Sequence, residues 1–309
     1  MIRPLLLLLL LSWLFIGATC ERTVELDIDQ PPARLVVNSS FTLGQKVAVS
    51  VSKSLGILDN SLPEYLVDAS VTVYQGDTFL EELVLYIDPA PRIPPYYTTV
   101  DFEPKPGVTY TIRVEAPGFE PVVAHSFIPQ PVVFSRLGVS QIEELPGSEA
   151  FSKVFAYEVQ LDFVDPPGEE NYYHLNIFQE ILNYALTPSG DTVIEDRRLQ
   201  RANLVLDQPG VVYDAMIGGL LLKDHPTNNG FSFPLAVEIV PEFEALGQII
   251  AELRTVSREY YLYYTTFSRQ QNQSDGPFND PIVIFNNVQN GHGYFAGYNT
   301  IQDSVRLNY

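Results

Sequence analysis

One thiol, four imidazoles and a cluster of phenols are the side chains of this sequence with chemistry to offer. Cys20 is the only cysteine among 309 residues and stands at the end of an apolar run, Leu5 to Ile16, closed by Gly17-Ala18-Thr19. A thiol there is placed for acylation. A thioether to diacylglycerol forms on the sulfur, and a second chain on the new terminal amine makes attachment stable, because one chain holds a protein only marginally. Such a thiol is neither a nucleophile nor half of a disulfide. His125, His174, His225 and His292 form no close pair at metal-ligand spacing. His292 lies between Gly291 and Gly293, where it either meets a ligand or simply occupies a turn. Asp27-Ile28-Asp29 and Asp59-Asn60 carry oxygens suited to calcium but complete no binding loop, and read as solvated acids. Glu169-Glu170 is a paired carboxylate, but a glycosidase needs two carboxyls about 5 to 10 Å apart across a cleft. No Gly-x-Ser-x-Gly elbow is present. No catalytic residue, metal site or cofactor is assigned. Tyr260, Tyr261 and Tyr264 form the densest aromatic group. With His292 and Tyr294 they are the candidates for contact with a ligand or partner; the competing reading is core packing, since a buried Tyr needs only one partner for its hydroxyl.

The elements that would carry these residues follow from composition and pattern. Arg3 and the apolar run form a secretory leader, residues 1–20, too short for the roughly 20 apolar residues of a membrane-spanning helix. The alternative is an ordinary signal peptide with an incidental cysteine. A formal charge of -20 argues against nucleic acid, whose phosphates it would repel, and against lying on anionic lipid. Eighteen Tyr, 18 Phe and 24 Pro beside one Trp fit a β-rich extracytoplasmic protein, stabilised by burial without disulfides.

Residues 21–33 read as a tether stiffened by Pro31-Pro32. From 34 to 130 the pattern is of about seven short strands and predicts an antiparallel sandwich. Leu35-Val36-Val37 starts the first; Val47, Val49 and Val51 alternate with small residues; Val71 and Val73 repeat this, and Gly76-Asp77 turns into a strand over Phe79 to Ile87. Val108, Tyr110, Ile112 and Val114 alternate with polar residues before Pro117-Gly118 turns the chain into Phe119 to Ile128. Pro129-Gln130-Pro131 is the linker candidate. A second β-rich domain, 131–309, begins there. Phe155, Tyr157, Val159, Leu161 and Phe163 share one strand face, and Tyr173, Leu175 and Ile177 another. Residues 183–230 look less regular. Strands are predicted over Phe233 to Val240, Gln248 to Val256 and Ile282 to Phe285. One helix, about 257–272, has Ser257 as N-cap, Glu259 at the positive end of its dipole, and tyrosines at helical spacing; Gly276-Pro277 stops it. The fold class is thus mainly β, with one tyrosine-rich α-helix near the C-terminus.

Two resemblances add to this. Gly107-Val108-Thr109-Tyr110 to Ala116-Pro117-Gly118-Phe119 resembles the last hairpin of immunoglobulin-like and carboxypeptidase-regulatory-like modules. Leu35-Val36-Val37-Asn38, Asn171-Tyr172-Tyr173, Glu259-Tyr260-Tyr261-Leu262-Tyr263 and Gly291-His292-Gly293-Tyr294-Phe295-Ala296-Gly297-Tyr298 together resemble a Bacteroidetes lipoprotein family known only as a domain of unknown function. That resemblance implies an outer-membrane lipoprotein, anchored by lipid on the periplasmic face or the cell surface. It also implies a TonB-dependent outer-membrane receptor as partner, and a small-molecule, peptide or glycan ligand. A structural or adhesive surface protein is the alternative, and a secreted hydrolase the third reading. The expectation is a binding protein and not an enzyme.

Overall fold

A computed structural model describes residues 32–56, 59, 61–90, 92–224, 230–273 and 282–307. Cys20, its leader, most of the tether, His225 and the Gly276-Pro277 helix stop lie outside these residues. Among the described residues no helix is long and apolar enough to cross a membrane.

Eighteen strands and one helix make up the described fold, which is mainly β. The first eight strands are β1 (Leu35–Thr42), β2 (Ala48–Lys53), β3 (Ser70–Gln75), β4 (Thr78–Glu82), β5 (Val84–Tyr86), β6 (Tyr96–Thr98), β7 (Thr109–Glu115) and β8 (Val122–Phe127). They divide between two sheets. One has the order β4-β3-β7-β8; β1, β2, β6 and β5 belong to a larger one. Alternation builds the core between them: Val71 and Val73, and Tyr110, Ile112 and Val114, face Val37, Val49 and Val51. The run from Phe79 to Ile87 is not one strand as its sequence predicts. Leu83 is buried at a break, so β4 stays with β3 while β5 pairs β6 in the other sheet.

The chain continues through β9 (Phe134–Val139), β10 (Glu143–Pro146), β11 (Lys153–Phe163), β12 (Tyr172–Leu186), β13 (Thr192–Arg201), β14 (Val211–Tyr213) and β15 (Leu220–Lys223). It ends with β16 (Phe231–Ile239), β17 (Glu244–Val256), α1 (Arg258–Asn272) and β18 (His292–Arg306). β9, β10, β11 and β16 form a third sheet, whose Phe155, Tyr157, Val159, Leu161 and Phe163 face Leu175, Ile177 and Leu253. Two stretches differ from their sequence reading. Residues 178–201 form a hairpin of β12 with β13, shifted in register between Asn183 and Tyr184, but every residue of β13 is exposed, so neither face carries an apolar period to read. Ile282 to Phe285 is not a strand: the Phe285 N–H donates to Thr266 Oγ1 on α1 instead of joining a ladder.

The largest sheet runs β14-β15-β12-β17-β18-β1-β2-β6-β5. Its last strand in sequence, β18, lies between β17, antiparallel, and β1, parallel. One sheet therefore continues across the Pro129-Gln130-Pro131 segment, and Phe295 of β18 stacks on Phe41 of β1 at 4.4 Å between ring centroids. Glycines let β18 fit this central place. A Cβ at Gly297 would strike the Phe127 carbonyl, and at Gly293, with φ +109°, the Val37 carbonyl. α1 closes part of the sheet's other face. Ser257 caps it, accepting from the Tyr260 N–H at 3.3 Å, and Tyr260, Tyr261, Tyr264, Thr265 and Ser268 are buried.

Candidate functional site

Strand register lays polar side chains in rows on the face of the sheet that α1 partly covers. His174 of β12 sits opposite Arg254 of β17, which sits opposite Thr300 of β18. Two residues along, on the same face, the row is Asn176, Glu252 and Gln302. The row on the other side holds Val256, Tyr298 and Thr42. The opposite face of the same strands is the apolar core of Leu175, Ile177 and Leu253, so alternation alone keeps these polar groups together.

Arg254 is the centre of the arrangement. Its Nη1 donates to the Tyr260 hydroxyl at 3.3 Å, its Nη2 lies 3.0 Å from Glu252 Oε1, and its guanidinium stands 5.0 Å over the Tyr298 ring. Burial works against its charge, but Tyr260, Glu252 and Tyr298 hold its pKa above the ordinary arginine value. Its Nε–H is buried without a partner. Glu252 is held from its other side by Gln302 Nε2, which donates to Oε2 at 3.1 Å. In front of these groups lies a cavity of about 310 Å³ lined by Thr42, Leu43, Gln45, Glu252, Arg254, Tyr298, Asn299, Thr300 and Gln302.

Behind Arg254 the network is sealed. His174 is fully buried; its Nε2–H donates to the Gly218 carbonyl at 2.7 Å, so its Nδ1 accepts from the Tyr260 hydroxyl at 3.0 Å. Burial pushes the His174 pKa down to about 3, with the Gly218 carbonyl opposing. The ring is neutral at physiological pH. Asp214, also fully buried, takes the Met216 and Ile217 N–H groups on Oδ1; burial raises its pKa against those two bonds. Its Oδ2 lies 3.8 Å from His174 Nε2 without a hydrogen bond. These acid–base groups support the site from behind and do not reach the cavity. What the cavity wall presents is a set of fixed donors and acceptors: chemistry for binding.

Of the residues singled out from sequence, Tyr260, Tyr264 and Tyr294 come together inside the protein. Tyr264 and Tyr294 share a hydroxyl–hydroxyl bond of 3.0 Å, and Tyr260 and Tyr264 lie 4.4 Å apart by ring centroids. Tyr261 packs on Tyr172 at 4.9 Å on the helix's other flank and donates to the Gly210 carbonyl. His292 is apart from them, exposed at the start of β18 opposite Val36. Arg254, Glu252 and Gln302 escaped the sequence reading. Their signal was available: Glu252 and Arg254 interrupt Ala251, Leu253 and Thr255 at period two, which makes the second face of β17 polar at a depth where it is mostly covered. Among the described residues, no group of three His, Cys, Asp or Glu side chains is placed to hold a metal ion.

Comparison with protein families matches residues 21–304 to one model, a domain of unknown function (DUF4249). The chain belongs to this family. The DUF4249 match takes in both sides of the Pro129-Gln130-Pro131 segment and all of the cavity wall, and the family's description carries no enzymatic activity. No curated protein matches the chain.

Proposed function

We propose that this protein is an outer-membrane lipoprotein, tethered through Cys20, that serves as a binding component of a TonB-dependent nutrient-uptake system. The observation that carries the binding role is the cavity in front of Arg254. Arg254, Glu252 and Gln302 are locked to one another on a sheet, and His174 behind them is neutral and shut away from any ligand. A wall of this kind recognises a ligand without transforming it. The leader ending in a lone cysteine supports the anchor, and the resemblance to Bacteroidetes lipoproteins supports the receptor partner.

Two measurements test the reading. Cells fed a clickable fatty acid should label the mature protein, and Cys20→Ser should abolish the label. Affinity purification from native membranes should recover a receptor barrel; a preparation without one removes the transporter from the proposal. A second reading, a structural or adhesive surface protein, is favoured by the β12–β13 hairpin, whose β13 strand is exposed along its whole length. It predicts that deleting residues 187–201 abolishes cell attachment and leaves uptake unchanged.

A further inference from the structure

We propose that the cavity in front of Arg254 is a binding site for a neutral sugar, of monosaccharide or disaccharide size. The inference gives a ligand class to the binding role proposed above.

Charge and hydrogen-bond parity at the cavity wall select the ligand class. Arginine alone would point to an anion, because its planar fork matches carboxylate and phosphate. Here Glu252 lies 3.0 Å away on the same strand face and neutralises it, and the whole chain carries a formal charge of -20. A carboxylate entering the cavity would meet the Glu252 carboxylate at its wall. A neutral ligand meets no such repulsion. The pair then offers a donor-only group beside an acceptor-only group, each immobilised: Arg254 by Tyr260 and the Tyr298 ring, Glu252 by Gln302. Around them Thr42, Gln45, Thr300 and Gln302 can both donate and accept. Vicinal hydroxyls do the same, each giving one hydrogen bond and taking others, at spacings that fit adjacent planar groups. Apolar lining is limited to Leu43 and the Tyr298 ring, whereas sites for drug-like ligands are mostly apolar. The volume, about 310 Å³, lies at the small end of ligand sites. Because Arg254 and Glu252 are held before any ligand arrives, little ordering cost falls on binding.

The test is calorimetric titration of the lipidated protein, purified in a detergent without a sugar head group, with glucose, galactose, mannose, xylose, N-acetylglucosamine, maltose, cellobiose, lactose, xylobiose, mannobiose and N,N′-diacetylchitobiose, and with galacturonate as the charged counterpart of galactose. Saturable binding of at least one neutral sugar is expected. It should weaken about tenfold or more in Glu252→Gln, which removes a charged acceptor, and in the exposed Gln302→Ala. Glu195→Gln, on the exposed β13, should leave it unchanged. Binding of galacturonate alone, binding indifferent to Glu252→Gln and Gln302→Ala, or no binding to any neutral sugar of the panel overturns the proposal. Recovery of the receptor barrel is read separately: a barrel retained without sugar binding refutes this site and leaves the accessory role, and sugar binding without a barrel does the reverse.

Discussion

Tyr260 serves two buried partners through one oxygen. Its hydroxyl donates to His174 Nδ1 at 3.0 Å and accepts from Arg254 Nη1 at 3.3 Å. Tyr260→Phe preserves the ring and removes both bonds, stranding a nitrogen inside a closed space. A loss of about 1–3 kcal/mol is expected in urea denaturation. His174 itself makes stability depend on pH. Its pKa in the fold is about 3, against an ordinary 6.5, so the unfolded chain takes up a proton that the folded chain refuses. Stability from this residue is complete above pH 6.5 and falls as pH drops from there toward 3, at up to about 1.4 kcal/mol per pH unit. Between pH 6.5 and 5 the lowered-pKa carboxylates Glu81, Glu170, Glu238 and Glu244 contribute little, their ordinary value being 4.5, and Asp214, raised by burial, works in the opposite direction to His174. Equilibrium unfolding at pH 7 and pH 5 should therefore show a drop that His174→Gln largely abolishes. An unchanged drop would mean that the ring is reached by solvent.

At the scale of elements, β18 is the strand on which the others depend, and its glycines show why. A methyl group at Gly297 meets backbone at the Phe127 carbonyl and has no flexible side chain to push aside. The Ser126 hydroxyl also accepts from the Gly297 N–H, and Ser126 bonds in turn to Ser257 at the start of α1. Gly297→Ala should cost roughly 1–3 kcal/mol, the range for overpacking a tight interior, and a thermal melt would show it. Placement of α1 is legible in sequence because a helix announces itself locally: Ser257, Glu259 and the tyrosine spacing all lie within one stretch. β18 is not legible as a long central strand. Its glycines read as tight turns or as places of close backbone approach, and the backbone they do approach, of β1 and β8, is more than 160 residues away in sequence.

For the molecule as a whole, the consequence is that the two halves share a sheet. Val288 and Phe295 from the end of the chain sit in the core built by β1, β2, β3, β7 and β8, and β18 completes the hydrogen bonding of β1. A fragment of residues 33–130 should fail to fold cooperatively when expressed alone, lacking that strand and those side chains. Amide dispersion in its NMR spectrum is the measurement, and a well-dispersed spectrum would make the first half autonomous. Residues Ala33–Leu55 and Asn60–Tyr309 group into one compact unit in keeping with this expectation.

Periodicity determined much of this protein without help. An apolar residue at every second position must be covered, so Val71 and Val73, Tyr110 to Val114 and Phe155 to Phe163 are strands with an inner face in any arrangement, and the Tyr260 stripe is a helix packed on something. The charge and the lone cysteine after an apolar run are likewise properties of the sequence itself. Which strands become neighbours was decided only in three dimensions, because pairing is made by backbone groups that every residue carries alike. That choice set His174, Arg254 and Thr300 in one row and Asn176, Glu252 and Gln302 in the next. A cavity wall in which Glu252 and Gln302 lie 50 residues apart, and Thr42 and Tyr298 lie 256 apart, has no local pattern, and it came into being when β18 inserted between β17 and β1.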